Sequence, residues 1–200
     1  MAIHTGLDWS EDPATGWVVL AMVHVDTDDL GELKSRFVEA RVSLGRSEAF
    51  VFKHLEADDR THDVFYRELR LVPSVSVDVL RLNRQTWEPR SPRPSRGDHV
   101  ICSGIIELLA ACPDDLTQDQ MLLIDLPRSE KGIVDAFRTI IRKELRQSRR
   151  AGLRDVRPRP DHRPDGAIIQ AADMIAGEVR QFNGLGGPYL PRLGGRIRFV

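Results

Sequence analysis

Hydrophobic positions along the chain change period several times, and each change marks an element. Residues Ile3–Trp9 predict a strand, and Trp17–Val25 (WVVLAMVHV) a stronger one, apolar on both faces and therefore central in a sheet. Between them SEDPATG is a run of turn formers. Asp26–Val42 has helical spacing, with Thr27 as its cap and Leu30, Leu33 and Phe37 as its inner stripe. Phe50–Lys53 predicts a short strand, and Thr61–Leu71 a short helix resting on Val64, Phe65 and Leu69. Val75–Leu82 alternates Val75, Val77 and Val79 against Ser76 and Asp78, which is strand periodicity. Arg84–Arg96 carries three prolines and reads as a loop, and Asp98–Cys112 as an apolar helix. Met121–Asp125 predicts a short buried strand ending in an acid. Ser129 caps a helix with Ile133, Val134, Phe137, Ile140, Ile141 and Leu145 at helical spacing. Residues 146–166 read as a second arginine- and proline-rich connection. A helix follows over Ala167–Arg180, and then a glycine-rich tail, 184–200.

A strand hairpin followed by alternating strands and helices implies a single α/β domain with a mixed sheet, and 200 residues suit one core. The net charge of −1 excludes a uniformly basic nucleic-acid coat. The charge is unevenly placed: residues 1–80 hold 8 basic against 15 acidic side chains, and residues 81–200 hold 21 against 15. Cys102 and Cys112 are too few for a disulfide framework or a cysteine zinc site, and both fall in an apolar helix, which points to buried thiols in a reducing compartment. The opening MAIHTGLDWSED has neither the basic nor the apolar part of a secretory signal, and the longest apolar run is too short to cross a bilayer. A cytoplasmic protein that does not enter the membrane is the expectation.

The chemistry is concentrated in three acids. Asp8 closes the first strand, Asp125 closes the buried MLLID strand, and Asp173 interrupts the apolar helix AIIQAADMIAGEVR. On that helix Asp173 shares a face with Ile169, Gln170, Ala176 and Gly177, a small and apolar face suited to close packing. A carboxylate there needs compensation: an arginine such as Arg180, a set of backbone donors, or a metal ion. Asp8 and Asp125 also have bland uses, as turn residues before Trp9–Asp12 and Pro127. Three carboxylates meeting at one crest of an α/β sheet would repel unless a hard divalent cation joined them. Oxygen-only ligation suits Mg²⁺ or Mn²⁺, and such sites act on phosphodiesters.

The segment IIQAADMIAG, with Gln170, Ala172 and Asp173, resembles the closing signature of the bacterial domain-of-unknown-function 3800 family. The resemblance covers roughly Ile3–Gln181. Asp8 and Ser10 in DWSE match that family's opening Asp-Glu-Ser-Gly at two of four positions, and LLID supplies its mid-chain aspartate, Asp125. Lys53 is the counterpart of its lysine, whereas its neighbouring acid falls near Val51, with Glu48 and Glu56 as nearby substitutes. The resemblance implies a ribonuclease H-like fold and a metal-dependent nuclease. Asp8, Asp125 and Asp173 would hold Mg²⁺ or Mn²⁺, Glu56 or Glu48 would be a fourth ligand, Lys53 would contact substrate phosphate, and Gln170 would orient Asp173 or a water. A non-catalytic member that binds nucleic acid or protein is the alternative, and the unmatched glutamate favours it.

Weaker signals accompany these. Arg84–Arg96 and Arg146–Arg163 hold four and seven arginines, enough to track a phosphate backbone or simply to stay solvated. Trp87 could stack a base or anchor its loop. His54, beside Lys53, and His4, on the Asp8 side of its strand, are candidates to position a phosphate or water.

Overall fold

The computed structural model describes residues 3–86, 99–111, 120–124, 139, 143, 153–158, 166–182 and 187–200. Six strands form one mixed sheet: β1 (Ile3–Asp12), β2 (Trp17–Asp26), β3 (Ser76–Asn83), β4 (Gln120–Ile124), β5 (Leu153–Pro158) and β6 (Ile197–Phe199), in the order β5-β4-β1-β2-β3-β6. β1, β2 and β3 are antiparallel neighbours, while β4 runs parallel to β1, β5 parallel to β4 and β6 parallel to β3. Four helices are described: α1 (Leu30–Ser43), α2 (Asp59–Arg70), α3 (His99–Ala111) and α4 (Ala167–Gln181).

β2 is buried along almost its whole length, as its unbroken apolar run predicts. Its odd positions Val19, Ala21 and Val23 join α1, α2 and α4 in one core, and its even positions Val18, Leu20 and Met22 join α3 in another. Pleating then assigns faces to the neighbours. Asp8 pairs with Ala21 and so projects from the face covered by α4, as do Gly6 and Ser10, whereas Leu7 lies in the α3 core. Gly6 is essential to this layer. A Cβ there would lie 2.5 Å from the Ile168 carbonyl oxygen, so only glycine lets α4 sit down on β1.

Several expectations change. β1 does not end at Asp8 but runs to Asp12, because its ladder with β2 continues that far. The turn is confined to 13–16, held by Asp12, whose oxygens accept from Ala14 N at 3.0 Å and Thr15 Oγ1 at 2.7 Å, and by Gly16 at φ 73°. Thr27 opens a short 3-10 turn instead of capping α1, whose N-cap is Asp29. Residues 50–53 are in no strand; Phe50 N turns back to the Ser47 carbonyl, and Phe52 N donates to a side chain of α4, as described below. The connection 146–166 contains β5, whose edge-strand pairing with β4 is made by backbone and so is invisible in an arginine-rich sequence. The tail is structured too. Leu190 and Leu193 are buried, and β6 pairs with β3, with Arg198 forked onto Asp78 at 2.8 Å through both Nε and Nη2. The helix expected after Ser129, Cys112, and the loop segment from Trp87 to Arg96 lie outside the described residues. No described helix is long and apolar enough to cross a membrane.

Candidate active site

α4 lies along β1 in the same direction. Ile168 touches Gly6 near one end, and Arg180 Nη1 donates to the Glu11 carbonyl at 3.0 Å near the other. Between these anchors the helix advances roughly 18 Å and the strand roughly 17 Å. Asp173 is five residues past Ile168, about 7.5 Å along the helix, and Asp8 two residues past Gly6, about 7 Å along the strand. Both acids therefore stand at one level on facing elements. Asp8 is 9% exposed, and its Oδ1 accepts from the Trp9 amide at 2.7 Å. Among the described residues the parallel ladder of β1 with β4 runs to Leu7–Ile124, directly before Asp8 on one strand. Asp125 follows Ile124 in the chain and lies outside the described residues.

One partner of Asp173 is a backbone donor: its Oδ2 accepts from the His54 amide at 2.8 Å. Gln170, fully buried one turn earlier, does the same for the residue two before His54. Its Oε1 accepts from Phe52 N at 3.1 Å and from Arg41 Nη2 at 3.3 Å. Residues three apart on a helix share a stripe, and amides two apart on an extended segment point the same way, so Gln170 and Asp173 clamp 52–54 as a strand partner would. Gly177 completes the stripe, because a Cβ there would overlap the His54 ring. Gln170 thus holds Phe52 and Arg41.

Lys53 sits in an extended conformation (φ −133°, ψ 130°) between the two clamped amides. Phe52 and His54 turn into the protein, so Lys53 projects to the other side. His54 is buried and engaged on both ring nitrogens: Nε2 meets the Gln181 side-chain amide at 2.8 Å, and Nδ1 lies 3.1 Å from His62 Nε2. His62 Nδ1 in turn donates to the Asp58 carbonyl at 3.0 Å. Burial first, and then the neighbouring His62, hold the His54 pKa down at about 4. Its imidazole is therefore a neutral packing element, not a free phosphate ligand. Glu56 and Glu48 are both exposed, and Glu48 acts electrostatically on Arg41. Ser10 is partly buried on the Asp8 face, opposite Val19. His4 shares that face further back, its pKa lowered by burial and by Lys34.

Sequence reasoning missed Arg41 and His62. Arg41 is buried, donates from Nε to the Phe50 carbonyl at 2.6 Å and lies over the Phe52 ring. An arginine on the inner side of an amphipathic helix was the available signal. Among the described residues no group of three or more His, Cys, Asp or Glu is arranged to hold a metal ion.

No family model and no curated protein sequence matches this chain. Among solved structures it is similar to the ribonuclease H2 from Pyrococcus horikoshii OT3, with a TM-score of 0.56 and 15% identity over 95% of this chain and 82% of that one. At that identity the likeness concerns architecture: the chain has an α/β, ribonuclease H-like fold, a mixed sheet flanked by helices.

Proposed function

We propose that this chain is a divalent-metal-dependent phosphodiesterase acting on nucleic acid, and a member of the domain-of-unknown-function 3800 family. What supports the proposal is that, by these spacings, Asp8 on β1 and Asp173 on α4 fall at similar levels along two elements packed together, beside the β1–β4 ladder. Asp8, Asp173 and Asp125 offer only carboxylate oxygens, the donor set of Mg²⁺ or Mn²⁺. Such ions, when bound, lower the pKa of water and offset charge on a phosphodiester oxygen. The protein's own part is positioning. Gln170 and Gly177 fix the segment 52–54 on α4, that segment fixes the Asp173 carboxylate, and Lys53, on the side opposite Phe52 and His54, is the residue that would contact substrate phosphate. Ser10 lines the approach on the Asp8 face, and exposed Glu56 is the nearer of the two substitute acids to Lys53 in the chain.

A second reading has its own support: Gln170 and Asp173 already hold backbone amides, so the signature has a structural use without catalysis. Binding of nucleic acid or protein without hydrolysis would then be the activity. Melting of the purified chain with and without Mn²⁺, alongside cleavage of a labelled oligonucleotide, separates the two. A metal-dependent rise in Tm and cleavage, both lost in Asp8→Asn and Asp173→Asn, are expected. No metal response in the unaltered chain would leave the binding reading.

A further inference from the structure

At the hairpin end of the sheet, Trp17 and Arg81 form a pair that the fold does not use elsewhere. The Arg81 guanidinium carbon lies 3.8 Å from the centroid of the Trp17 ring. The two are diagonal neighbours across β2 and β3, since Trp17 registers with Asn83 and Arg81 with Val19. Alternation with Val79 and Val19 puts both side chains on the face that carries Asp8 and Ser10. Both are partly exposed, and neither belongs to the apolar core. Among the described residues no side-chain hydrogen bond or ion pair to Arg81 or Trp17 occurs. The guanidinium is thus oriented by the indole while its N–H donors remain available. The contrast with Arg84 is plain, because Arg84 is forked onto Glu11 at 3.1 and 2.6 Å.

From strand spacings the Arg81 Cα is about 12 Å and the Trp17 Cα about 14 Å from that of Asp8, roughly four stacked base steps. We propose that Trp17 and Arg81 form a platform for single-stranded nucleic acid, with the indole and guanidinium planes taking a base and the free guanidinium donors a phosphate of the strand that leads to Asp8. The inference rests on the phosphodiesterase reading for its direction. Its chemistry is independent of the metal: arginine stacked on an aromatic face presents both a flat surface and a fork for phosphate oxygens.

The test is binding of a labelled single-stranded DNA of about ten nucleotides, measured with the full chain in excess chelator over a range of salt. Trp17→Ala should weaken affinity by about ten- to a hundredfold, whereas Trp17→Phe, which keeps a stacking face, should stay within about threefold. Arg81→Gln should weaken binding and reduce the salt slope by about one. Arg60→Gln on α2, whose Nη2 donates to the Ser43 carbonyl, is the control for loss of one positive charge and should change neither. If Arg81→Gln behaves like the unaltered chain or like Arg60→Gln, the platform is overturned, and that holds even if Trp17→Ala fails to fold. Trp17→Phe binding as poorly as a folded Trp17→Ala would also overturn it. With no divalent ion present, failure here leaves metal-dependent cleavage standing, and failure of cleavage leaves this binding standing.

Discussion

Helices α3 and α4 cover opposite faces of one sheet with different chemistry. α3 presents Val100, Ile101, Cys102, Ile105, Leu108 and Leu109 to a core of leucines, valines and Met22; it buries the small hydroxyl of Ser103, and its one glutamate, Glu107, is partly exposed. α4 is as apolar in its buried positions but also carries Gln170 and Glu178 fully buried and Asp173 partly so. Two of these three hold amides of 52–54. The third, Glu178, accepts from Tyr189 N at 2.9 Å and Leu190 N at 3.1 Å, docking the C-terminal segment. A helix that buries no charged or amide side chain needs little beyond volume and pattern. A helix that also supplies hydrogen-bond acceptors fixes where irregular segments lie, and it does so next to Asp8.

The largest expected effect breaks the α4 side of the comparison at its backbone contact with β1. Gly6→Ala places a methyl against the Ile168 backbone, which no rotamer change relieves. A loss of about 3 kcal/mol or more is expected in chemical denaturation, at the upper end of overpacking costs. Any Mn²⁺-induced rise in Tm should fall with it, since α4 must lift from β1. An unchanged stability would mean that α4 does not approach β1 this closely.

Next come paired changes at Asp173. Asp173→Asn keeps an oxygen that can accept from the His54 amide, so the metal-free protein should be as stable as the parent or slightly more so if carboxylates repel there. Asp173→Ala leaves that part-buried amide unpaired and should cost roughly 1–3 kcal/mol. Metal response should vanish in both. Equal apo stability of the two variants would show that the amide does not depend on Asp173. Gln170→Ala, which leaves Phe52 N and Arg41 without this acceptor, should cost at least as much as Asp173→Ala in the same assay.

These clamps explain how far the sequence could be read. β1, β2, β3 and the helices announce themselves because burial on one or two faces imposes a period on nearby residues. Asp8 and Asp173 stand out because each interrupts such a period. The segment 50–53 does not, since it has no strand partner: the Phe50 carbonyl accepts from Arg41 on α1, and Phe52 N donates to Gln170, about 120 positions away on α4. β5 and β6 are edge strands, held by backbone pairing that an arginine-rich or three-residue stretch does not advertise. The Trp17–Arg81 pair needed the β2–β3 register before its two members could be placed on one face.

Acid provides a smaller perturbation of the same α4 contact. His54, packed on Gly177, has a pKa near 4 in the folded protein, against about 6.5 in an unfolded chain. The folded state therefore resists a proton that the unfolded state accepts. This contribution is fully present above about pH 6.5 and is lost progressively as pH falls toward 4, with a slope of at most ~1.4 kcal/mol per pH unit. Urea midpoints followed from pH 7 to pH 4.5 should decline less steeply in His54→Gln than in the parent. A slope unaffected by the substitution would show that His54 titrates normally and that its burial against α4 is looser than described.

The smallest effect belongs to α3 and calibrates the rest. A Cβ on Gly104 would meet Leu20 Cδ1 at 3.0 Å, Leu82 Cδ2 at 3.1 Å and Leu20 Cδ2 at 3.2 Å. These are the far ends of two flexible side chains in an all-apolar core, not backbone or a ring held by hydrogen bonds. Small shifts of both leucines can admit the methyl at a cost of about 1 kcal/mol. Replacing glycine by alanine inside a helix recovers about the same amount. Gly104→Ala should therefore change stability by less than about 1 kcal/mol in either direction, whereas Gly177→Ala on α4, with the same gain in helix propensity, should cost several times more. Thermal melts of the two variants side by side make the comparison. If Gly104→Ala proved as costly as Gly177→Ala, tight packing would be a property of both faces of the sheet, and the close approach of α4 would no longer mark the face that carries Asp8.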